Sequence, residues 1–413
     1  MRPSHVKTDR SSFRRPALLI GGLAAAVVLA GCAKNAPQDT FQPAGENARK
    51  IDNLQRPVFY VAGIVLLIVV AAVGYSMIRY RDRGQEMPEQ THGKPVLEII
   101  LTIIPAVILL FVCVFTVSTV FALAKTSDTQ CTVNVTGQQW WWEYDYPVQS
   151  GCMPGGITTP IVTSGELVIP EKTHVLLHVT SRDVIHSFWI PRLNGKRDAV
   201  PGRDQTLRME ADQPGIYTGQ CTEFCGLSHA RMRMAAVSLN AADFGTWVTN
   251  QTKTYTAPEK GTIAATGETT FITNCSRCHQ VNGLANIDTT TGAATPVLAN
   301  PDLYEVSGAA PNLTDLMTRS TFAGATFDLL TDACREKLYN APPDQFGAMY
   351  LKGVTPECFN EGELREWLRN APAKKPMYAA EDEKVDGKYR GMPNLKLSEN
   401  QIDQLIAYLL QRK

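Results

Sequence analysis

Apolar positions divide the chain into parts with different patterns. Two long uncharged runs, residues 58–78 and 99–124, can each cross a bilayer core of about 30 Å, so both predict transmembrane helices. Everything after residue 124 is expected on the extracytoplasmic side, because a short basic loop between two spans favours the cytoplasm. The basic residues of that loop are Arg79, Arg81, Arg83 and Lys94.

An earlier apolar run follows a basic N-terminal segment and ends at Leu29-Ala-Gly-Cys32. This layout is typical of an export signal, and its cysteine resembles a bacterial lipoprotein signal, with cleavage before Cys32 and lipid attached to it. We expect residues 1–31 to be the signal peptide, and residues 32–57 to be an extracytoplasmic segment before the helical hairpin at 58–124. An uncleaved first helix is the alternative, which the short, glycine-containing run disfavours.

Residues 125–249 consist of short β-branched segments separated by turns. Strands bounded by Pro-Gly and Asn-Gly turns at this spacing predict an antiparallel sandwich or barrel. The expected strands are 132–136, 166–169, 174–180, 186–190, 205–210, 216–221 and 234–239.

A linker at 250–261 ends the strand pattern, and residues 262–413 are expected to form an all-α domain. Its last helix begins at Ser398, which forms a capping box with Gln401. The apolar face of this helix consists of Ile402, Leu405, Ile406 and Leu409. The fold class is therefore a multidomain membrane protein with a two-helix hairpin, an all-β domain and an all-α domain.

The charge balance does not suggest nucleic-acid binding, and several cysteines are expected to have structural roles. The 413 residues include 40 basic and 40 acidic side chains, and this balance gives no indication of nucleic-acid binding. Cys334 and Cys358 are expected to form a disulfide, and Cys131 with Cys152 is a candidate second pair, although spacing establishes neither. Cys113, inside the second span, is interpreted as a small apolar residue.

A short segment brings several soft metal ligands together. Cys221 and Cys225 are four positions apart, His229 follows after four more, and Met232 after three. His186 lies in a separate apolar, strand-like segment and adds a second imidazole. Two thiols, two imidazoles and a thioether favour a copper site over a pair of structural cysteines.

A second cofactor motif lies in the C-terminal part. Cys275-Ser-Arg-Cys278-His279 is the attachment signature of haem c, in which two thiols form thioethers and the histidine binds iron. A zinc site would need further ligands here, and no histidine follows His279. Met392, just before the last helix, is the preferred distal ligand and Met377 the runner-up.

Together these motifs resemble subunit II of a haem-copper cytochrome c oxidase. The resemblance implies a cupredoxin-like Greek-key barrel that holds the dinuclear copper centre CuA. It makes Cys221 and Cys225 the bridging thiolates and His186 and His229 the terminal ligands. Met232 becomes an axial ligand, with Met234 as runner-up, and Glu223 a ligand through its backbone carbonyl. The segments that carry the resemblance are 135–146, 184–191, 197–203 and 221–232.

The resemblance also implies roles outside the copper ligands. The first Trp of the Trp140-Trp-Trp run would lie at the surface above CuA, where electrons enter, while at least one of its neighbours is core. Glu98 would lead protons toward the oxygen-reducing subunit, unless its carboxylate simply reaches the membrane interface. Glu223 could offer its side chain to magnesium or manganese at the contact with subunit I, beside Asp198 and Arg203.

The C-terminal part is similar to a cytochrome c domain. In that family the carbonyl of a proline, here Pro311, holds the proximal imidazole. Residues 280–309 and 323–359 exceed the family's minimum and have no assigned role. His174 and His178 share a strand face and are interpreted as ordinary strand histidines rather than a metal site.

The fused haem domain suggests a caa3-type oxidase of a bacterial cell membrane. An external donor, cytochrome c or a cytochrome bc complex, would reduce haem c, and electrons would pass through CuA to haem a. Haem a belongs to a separate subunit I, where oxygen becomes water and protons are pumped; subunit III and membrane lipid are further expected partners. The alternatives are a subunit of a nitric-oxide-reducing relative and a membrane-anchored electron carrier working alone.

Overall fold

The computed structural model describes residues 36–84, 87, 92–153, 155, 157–253, 255–287, 294–296, 310–385 and 390–413. The expected signal peptide and Cys32 lie outside these residues. The main helices are α1 (Glu46–Arg79), α2 (Pro95–Leu123), α3 (Ala241–Gln251), α4 (Ile263–Asn274), α5 (Asp332–Tyr339), α6 (Pro343–Tyr350), α7 (Glu361–Arg369), α8 (Ala371–Lys374) and α9 (Glu399–Leu409). The strands are β1 (Cys131–Gln138), β2 (Trp141–Tyr146), β3 (Ile161–Ser164), β4 (Glu166–Pro170), β5 (Val175–Ser181), β6 (His186–Phe188), β7 (Arg197–Ala199), β8 (Gln205–Met209), β9 (Gly215–Gln220), β10 (Arg233–Leu239), β11 (Ala285–Ile287), β12 (Ala294–Pro296), β13 (Thr321–Phe322) and β14 (Phe327–Asp328).

Helices α1 and α2 lie where two spans were predicted, and both are long and apolar enough to cross a membrane. Helix α1 begins 12 residues before the predicted apolar run, because its first three turns are polar and pack on the β domain. Asn47 donates a hydrogen bond to the Arg208 carbonyl (3.1 Å), and the Arg208 guanidinium contacts Glu46 (2.8 Å) and Asp128 (2.7 Å). The first helix is thereby fixed to the domain that follows it.

The strands of residues 131–239 lie close to the predicted positions and form a five-stranded sheet, a three-stranded sheet and a two-stranded ribbon. Their orders are β3-β2-β1-β5-β8, β4-β10-β9 and β6-β7. The expected antiparallel pairing is found for β1-β2, β2-β3, β5-β8, β6-β7 and β9-β10. Two pairs depart from it, since β1 pairs with β5 and β4 with β10 in parallel. Alternation along a strand specifies which side chains are buried and carries no information on strand direction.

Aromatic and aliphatic side chains fill the space between the two larger sheets. Tyr146 is buried, and its hydroxyl donates to the Val168 carbonyl on the facing sheet (2.8 Å). The expected disulfide Cys334–Cys358 and the candidate pair Cys131–Cys152 are both present. The largest fully buried side chains of the β domain are Trp140, Trp142, Tyr144, Tyr146, Phe188, Leu167, Ile169, Leu177 and Ile190.

The C-terminal unit is built around the crossing of its first and last helices, α4 and α9. The Phe271 and Tyr408 rings lie 5.2 Å apart at this crossing. The capping box at Ser398 and Gln401 is confirmed, with reciprocal hydrogen bonds of 3.3 and 2.9 Å. The unit is not purely helical, since the short pairs β11-β12 and β13-β14 lie between its helices.

Gly267 permits this close crossing, because a Cβ at this position would collide with the Gln404 carbonyl on α9. We predict that Gly267→Ala lowers the free energy of opening of α4 by about 1–3 kcal/mol, the usual cost of overpacking. Hydrogen exchange followed by mass spectrometry on the purified chain measures this opening.

Gly362→Ala is the matched control, because Gly362 lies on helix α7 of the same unit and has open space where a Cβ would be. It should leave the exchange of α4 unchanged. Equal effects of both substitutions would contradict the close packing at Gly267.

Candidate metal centre and cofactor pocket

The loop between β9 and β10 brings the predicted copper ligands together. The Cys221 and Cys225 sulfurs lie 3.8 Å apart. Cys225 Sγ is 3.6 Å from His229 Nδ1 and 3.8 Å from Met232 Sδ. His186 approaches from β6, and its ligand atom lies within 4.8 Å of both sulfurs. Residues from two separate parts of the sequence therefore form one cluster, in which His229 is half-buried and the others are buried.

Backbone hydrogen bonds hold this loop in its shape. The Cys221 amide donates to the Met232 carbonyl (3.0 Å), which closes the loop. The Thr222 amide donates to the Ser187 carbonyl (3.1 Å), which fastens the loop to the strand that carries His186. Gly226 has a positive φ of 111° and lies so close to Trp140 that a side chain would crowd the indole.

His186 is oriented by a carboxylate. Its Nε2 donates to Asp183 Oδ1 (2.8 Å), and Asp183 also accepts a hydrogen bond from the Gln139 amide (2.8 Å). His186 Nδ1 is buried and has no hydrogen-bond partner among the described residues. An imidazole with one nitrogen bonded to a carboxylate and the other unused has the arrangement of a metal ligand.

The two thiols influence each other's protonation. Their mutual hydrogen bond lowers the pKa of Cys221, against the opposing effect of burial, and raises the pKa of Cys225. A metal binds cysteine as thiolate, so binding here would release the remaining proton. The soft donors, the orphan imidazole nitrogen and the pre-formed loop all fit copper.

The remaining residues with a predicted role lie at or beyond the edge of this cluster. Glu223 turns its backbone carbonyl toward Cys221 Sγ (3.3 Å), while the residue is exposed. Asp198 accepts a hydrogen bond from the Ser187 hydroxyl (2.8 Å), and Arg203 is exposed. Met234 is buried on β10, in register with Gly219. Glu98 lies apart from the cluster, in the first turn of α2.

Trp140 does not lie at the surface, contrary to what the resemblance implies. It is only 2% exposed, because the C-terminal unit covers it and its ring lies 5.5 Å from that of Tyr378. Its indole Nε1 donates to the Cys225 carbonyl (3.0 Å), and Gln139 donates to the same oxygen (2.7 Å). The indole thus connects the copper loop to the C-terminal unit.

A large cavity lies between the C-terminal unit and the β domain, and its lining includes Cys275, Cys278 and His279. The His279 Nδ1–H donates to the Pro311 carbonyl (2.8 Å), as the resemblance implied. Burial lowers the pKa of His279, which favours a neutral imidazole with Nε2 free to bind iron. The thiols, the oriented imidazole and the apolar walls fit a haem. These walls include Phe271, Leu364, Trp367, Leu405 and Leu409.

Both candidate distal ligands, Met377 and Met392, line this cavity. Gly391, with a φ of 114°, lies against Met377 and leaves no room for a side chain there.

The two expected strand histidines have carboxylate neighbours. His174 Nε2 lies 3.0 Å from Glu210, and His178 Nδ1 lies 2.6 Å from Asp204.

Comparison with known proteins agrees with this architecture. Residues 131–239 match the protein family described as "Cytochrome C oxidase subunit II, periplasmic domain", and residues 35–119 match its "transmembrane domain". Cytochrome c oxidase subunit 2 of Alkalihalophilus pseudofirmus is 33% identical over 66% of this chain and 77% of its own length. The chain belongs to the cytochrome c oxidase subunit 2 family. It is accordingly a membrane-anchored subunit of a haem-copper oxidase, and its family carries a CuA copper site.

A second relative and a solved structure are also similar to this chain, over different shares of its length. Cytochrome c oxidase subunit 2 of Bacillus sp. strain PS3 is 31% identical and covers 94% of this chain and 95% of its own length. The crystal structure of the periplasmic domain of Bradyrhizobium japonicum oxidase subunit II is 30% identical, with a TM-score of 0.26. It covers 31% of this chain and 96% of that one.

Several residues of the site have no role that was predicted from the sequence. Asp183 stands three positions before His186, and a carboxylate this close to a candidate ligand is a usable signal for a supporting role. Gln139 and Tyr378 have no such local signal, since they meet the copper loop and Trp140 only through the folded chain.

We predict that Asp183→Asn weakens copper binding about 10–100-fold, because the amide supports the ligating imidazole less well than a carboxylate does. Competition between the purified chain and a copper chelator measures this affinity.

Asp204→Asn provides the matched control, because Asp204 pairs with His178 in the same way on an exposed part of the β domain. Its copper affinity should equal that of the unmodified chain. Equal losses in both variants would show that the Asp183 contact has no particular role at the metal.

Proposed function

We propose that this chain is the electron-input subunit of a caa3-type aerobic respiratory oxidase. Electrons from cytochrome c or a cytochrome bc complex enter at haem c, pass through dinuclear CuA and reach haem a of subunit I. That subunit reduces oxygen to water and pumps protons, with subunit III as a further partner. When bound, haem c and CuA each supply one-electron redox chemistry.

The proposal depends above all on one arrangement. The pocket with the Cys-x-x-Cys-His signature borders Trp140, and the Trp140 indole donates to the carbonyl of Cys225. A haem held by Cys275, Cys278 and His279 would thus be separated from the copper loop by single residues, Trp140 and its neighbour Gln139. The similarity to the Bacillus protein extends through the C-terminal unit, which supports a shared arrangement of both parts.

Trp140 retains its proposed role as the place where electrons enter the copper centre. The electrons reach it from haem c of the same chain rather than from a separate donor protein. CuA is held by His186, Cys221, Cys225, His229, Met232 and the Glu223 carbonyl. Glu98 admits protons from the cytoplasmic side. The Glu223 side chain binds magnesium or manganese at the contact with subunit I.

We place the chain in the bacterial cell membrane, with both cofactor domains on the extracytoplasmic side. Residues 1–31 would be removed as a lipoprotein signal and Cys32 lipidated. The linker at 250–261 separates the CuA domain at 125–249 from the haem domain at 262–413, a division that the end of helix α3 at Gln251 supports.

Optical and EPR spectra of the oxidised and reduced chain, purified with its copurifying subunits, test the proposal. A sharp reduced haem c band, a mixed-valence dicopper signal and haem a in the complex are the expected results. Haem c without the dicopper signal would overturn the CuA assignment. A dicopper signal without haem c would overturn the fused-cytochrome assignment.

We predict that Met392→Ala abolishes the methionine-to-iron charge-transfer band of oxidised haem c and lowers its potential, because a thioether ligand raises that potential. Met377→Ala is the comparison, since Met377 lines the same cavity. It should retain the band. Loss of the band in Met377→Ala alone would instead assign the distal position to Met377.

A further inference from the structure

In the C-terminal unit, residues 320–326, Tyr350 and Lys375 have no assigned role in the proposed electron route. They nevertheless make specific contacts with the β domain. Glu166, on β4, is 1% exposed and receives hydrogen bonds from residues of this part. Its Oε1 accepts from the Ser320 amide (2.9 Å) and the Thr321 hydroxyl (2.8 Å), and its Oε2 accepts from the Tyr350 hydroxyl (2.9 Å). The buried carboxylate is therefore satisfied by the C-terminal unit.

The hairpin β13-β14 touches the tryptophan run directly. Its tip, Ala323-Gly324-Ala325, has three positive φ angles of 52°, 74° and 52°. A Cβ on Gly324 would lie 2.6 Å from the Trp140 carbonyl oxygen and 3.2 Å from Trp141 Cα. Left-handed alanines are energetically unfavourable and persist where the surrounding contacts impose them.

Lys375 completes this contact. The residue is 3% exposed, and its ammonium donates to the Trp140 carbonyl (2.8 Å) and the Ala323 carbonyl (2.8 Å), with the Thr326 hydroxyl at 3.4 Å. Its neighbour Lys374 is instead ion-paired with Glu363 and Glu366. Burial lowers the pKa of Lys375 to about 7, and hydrogen bonds to two backbone carbonyls on opposite sides of the domain contact offset part of this cost.

We propose that Lys375, together with the hairpin tip, is a positioning residue that holds Trp140 between the haem pocket and the copper loop. It thereby sets the rate of electron transfer between the two centres. The inference rests on the proposed function. In this step one electron leaves ferrous haem c and reduces oxidised CuA, while no bond forms or breaks and no proton moves. The external donor then restores the ferrous haem.

Lys375→Met tests the proposal in the full chain loaded with both cofactors, because methionine keeps an unbranched chain and removes the ammonium. Haem c is reduced by a photochemical donor, and its reoxidation by CuA is followed optically. We expect haem c reduction to keep its rate and the following transfer to slow by roughly tenfold or more. A misplacement of about 1 Å in a positioned group can change a rate by this much or more.

Lys352→Met is the matched control, since it makes the same change at an exposed lysine of the C-terminal unit. Glu166→Gln separates positioning from docking, because Glu166 bonds Ser320, Thr321 and Tyr350 rather than the Trp140 peptide. It should weaken docking, measured by hydrogen exchange, while slowing transfer less than Lys375→Met does.

The potentials and spectra of both centres are recorded for every variant. A slowed transfer at unchanged potentials and full occupancy supports the positioning role. An unchanged transfer rate in Lys375→Met, or equal slowing in Glu166→Gln, overturns it. A chain that binds no haem c in its unmodified form would refute the proposed function itself.

Discussion

The structure depends on the hydrogen bonds that meet at the carbonyl of Cys225. Gln139 and the Trp140 indole both donate to this oxygen, so the loop that carries the two thiols is held by the segment before β2. Because Trp140 also packs on Tyr378, the same segment receives the C-terminal unit. The positions of the metal cluster, the aromatic run and the cofactor pocket are consequently linked through one short stretch of backbone.

Local signals in the sequence predicted much of this arrangement. The two spans, the capping box at Ser398 and the Cys221-x-x-x-Cys225 cluster depend on residues close together along the chain, and the structure contains all three. The positions of the strands could also be predicted. Successive side chains of a strand point to opposite faces of the sheet, so a strand with one buried face shows alternating apolar and polar residues in the sequence.

Other features could not be predicted, because they depend on contacts between distant residues. Strand direction in the β1-β5 and β4-β10 pairs follows from chain crossovers that alternation does not encode. The burial of Trp140 arises from a unit that begins more than a hundred residues later. Lys375 looks like an ordinary surface lysine beside Lys374, and only the folded chain buries one of the two against carbonyl oxygens.

Helix α1 has a consequence for the geometry of the whole subunit. Its 34 residues give a length of about 51 Å, whereas a bilayer core is about 30 Å thick, so roughly 20 Å of helix, up to Pro57, projects from the membrane. Arg208 binds the projecting end of the helix. Helix α1 therefore determines both the distance of the β domain from the bilayer and its rotation about the helix axis. Inserting one residue between Arg49 and Pro57 would turn the domain by about 100° relative to the bilayer-embedded part. The polar turns of α1 thus determine how far the copper loop lies from the membrane and in which direction it faces.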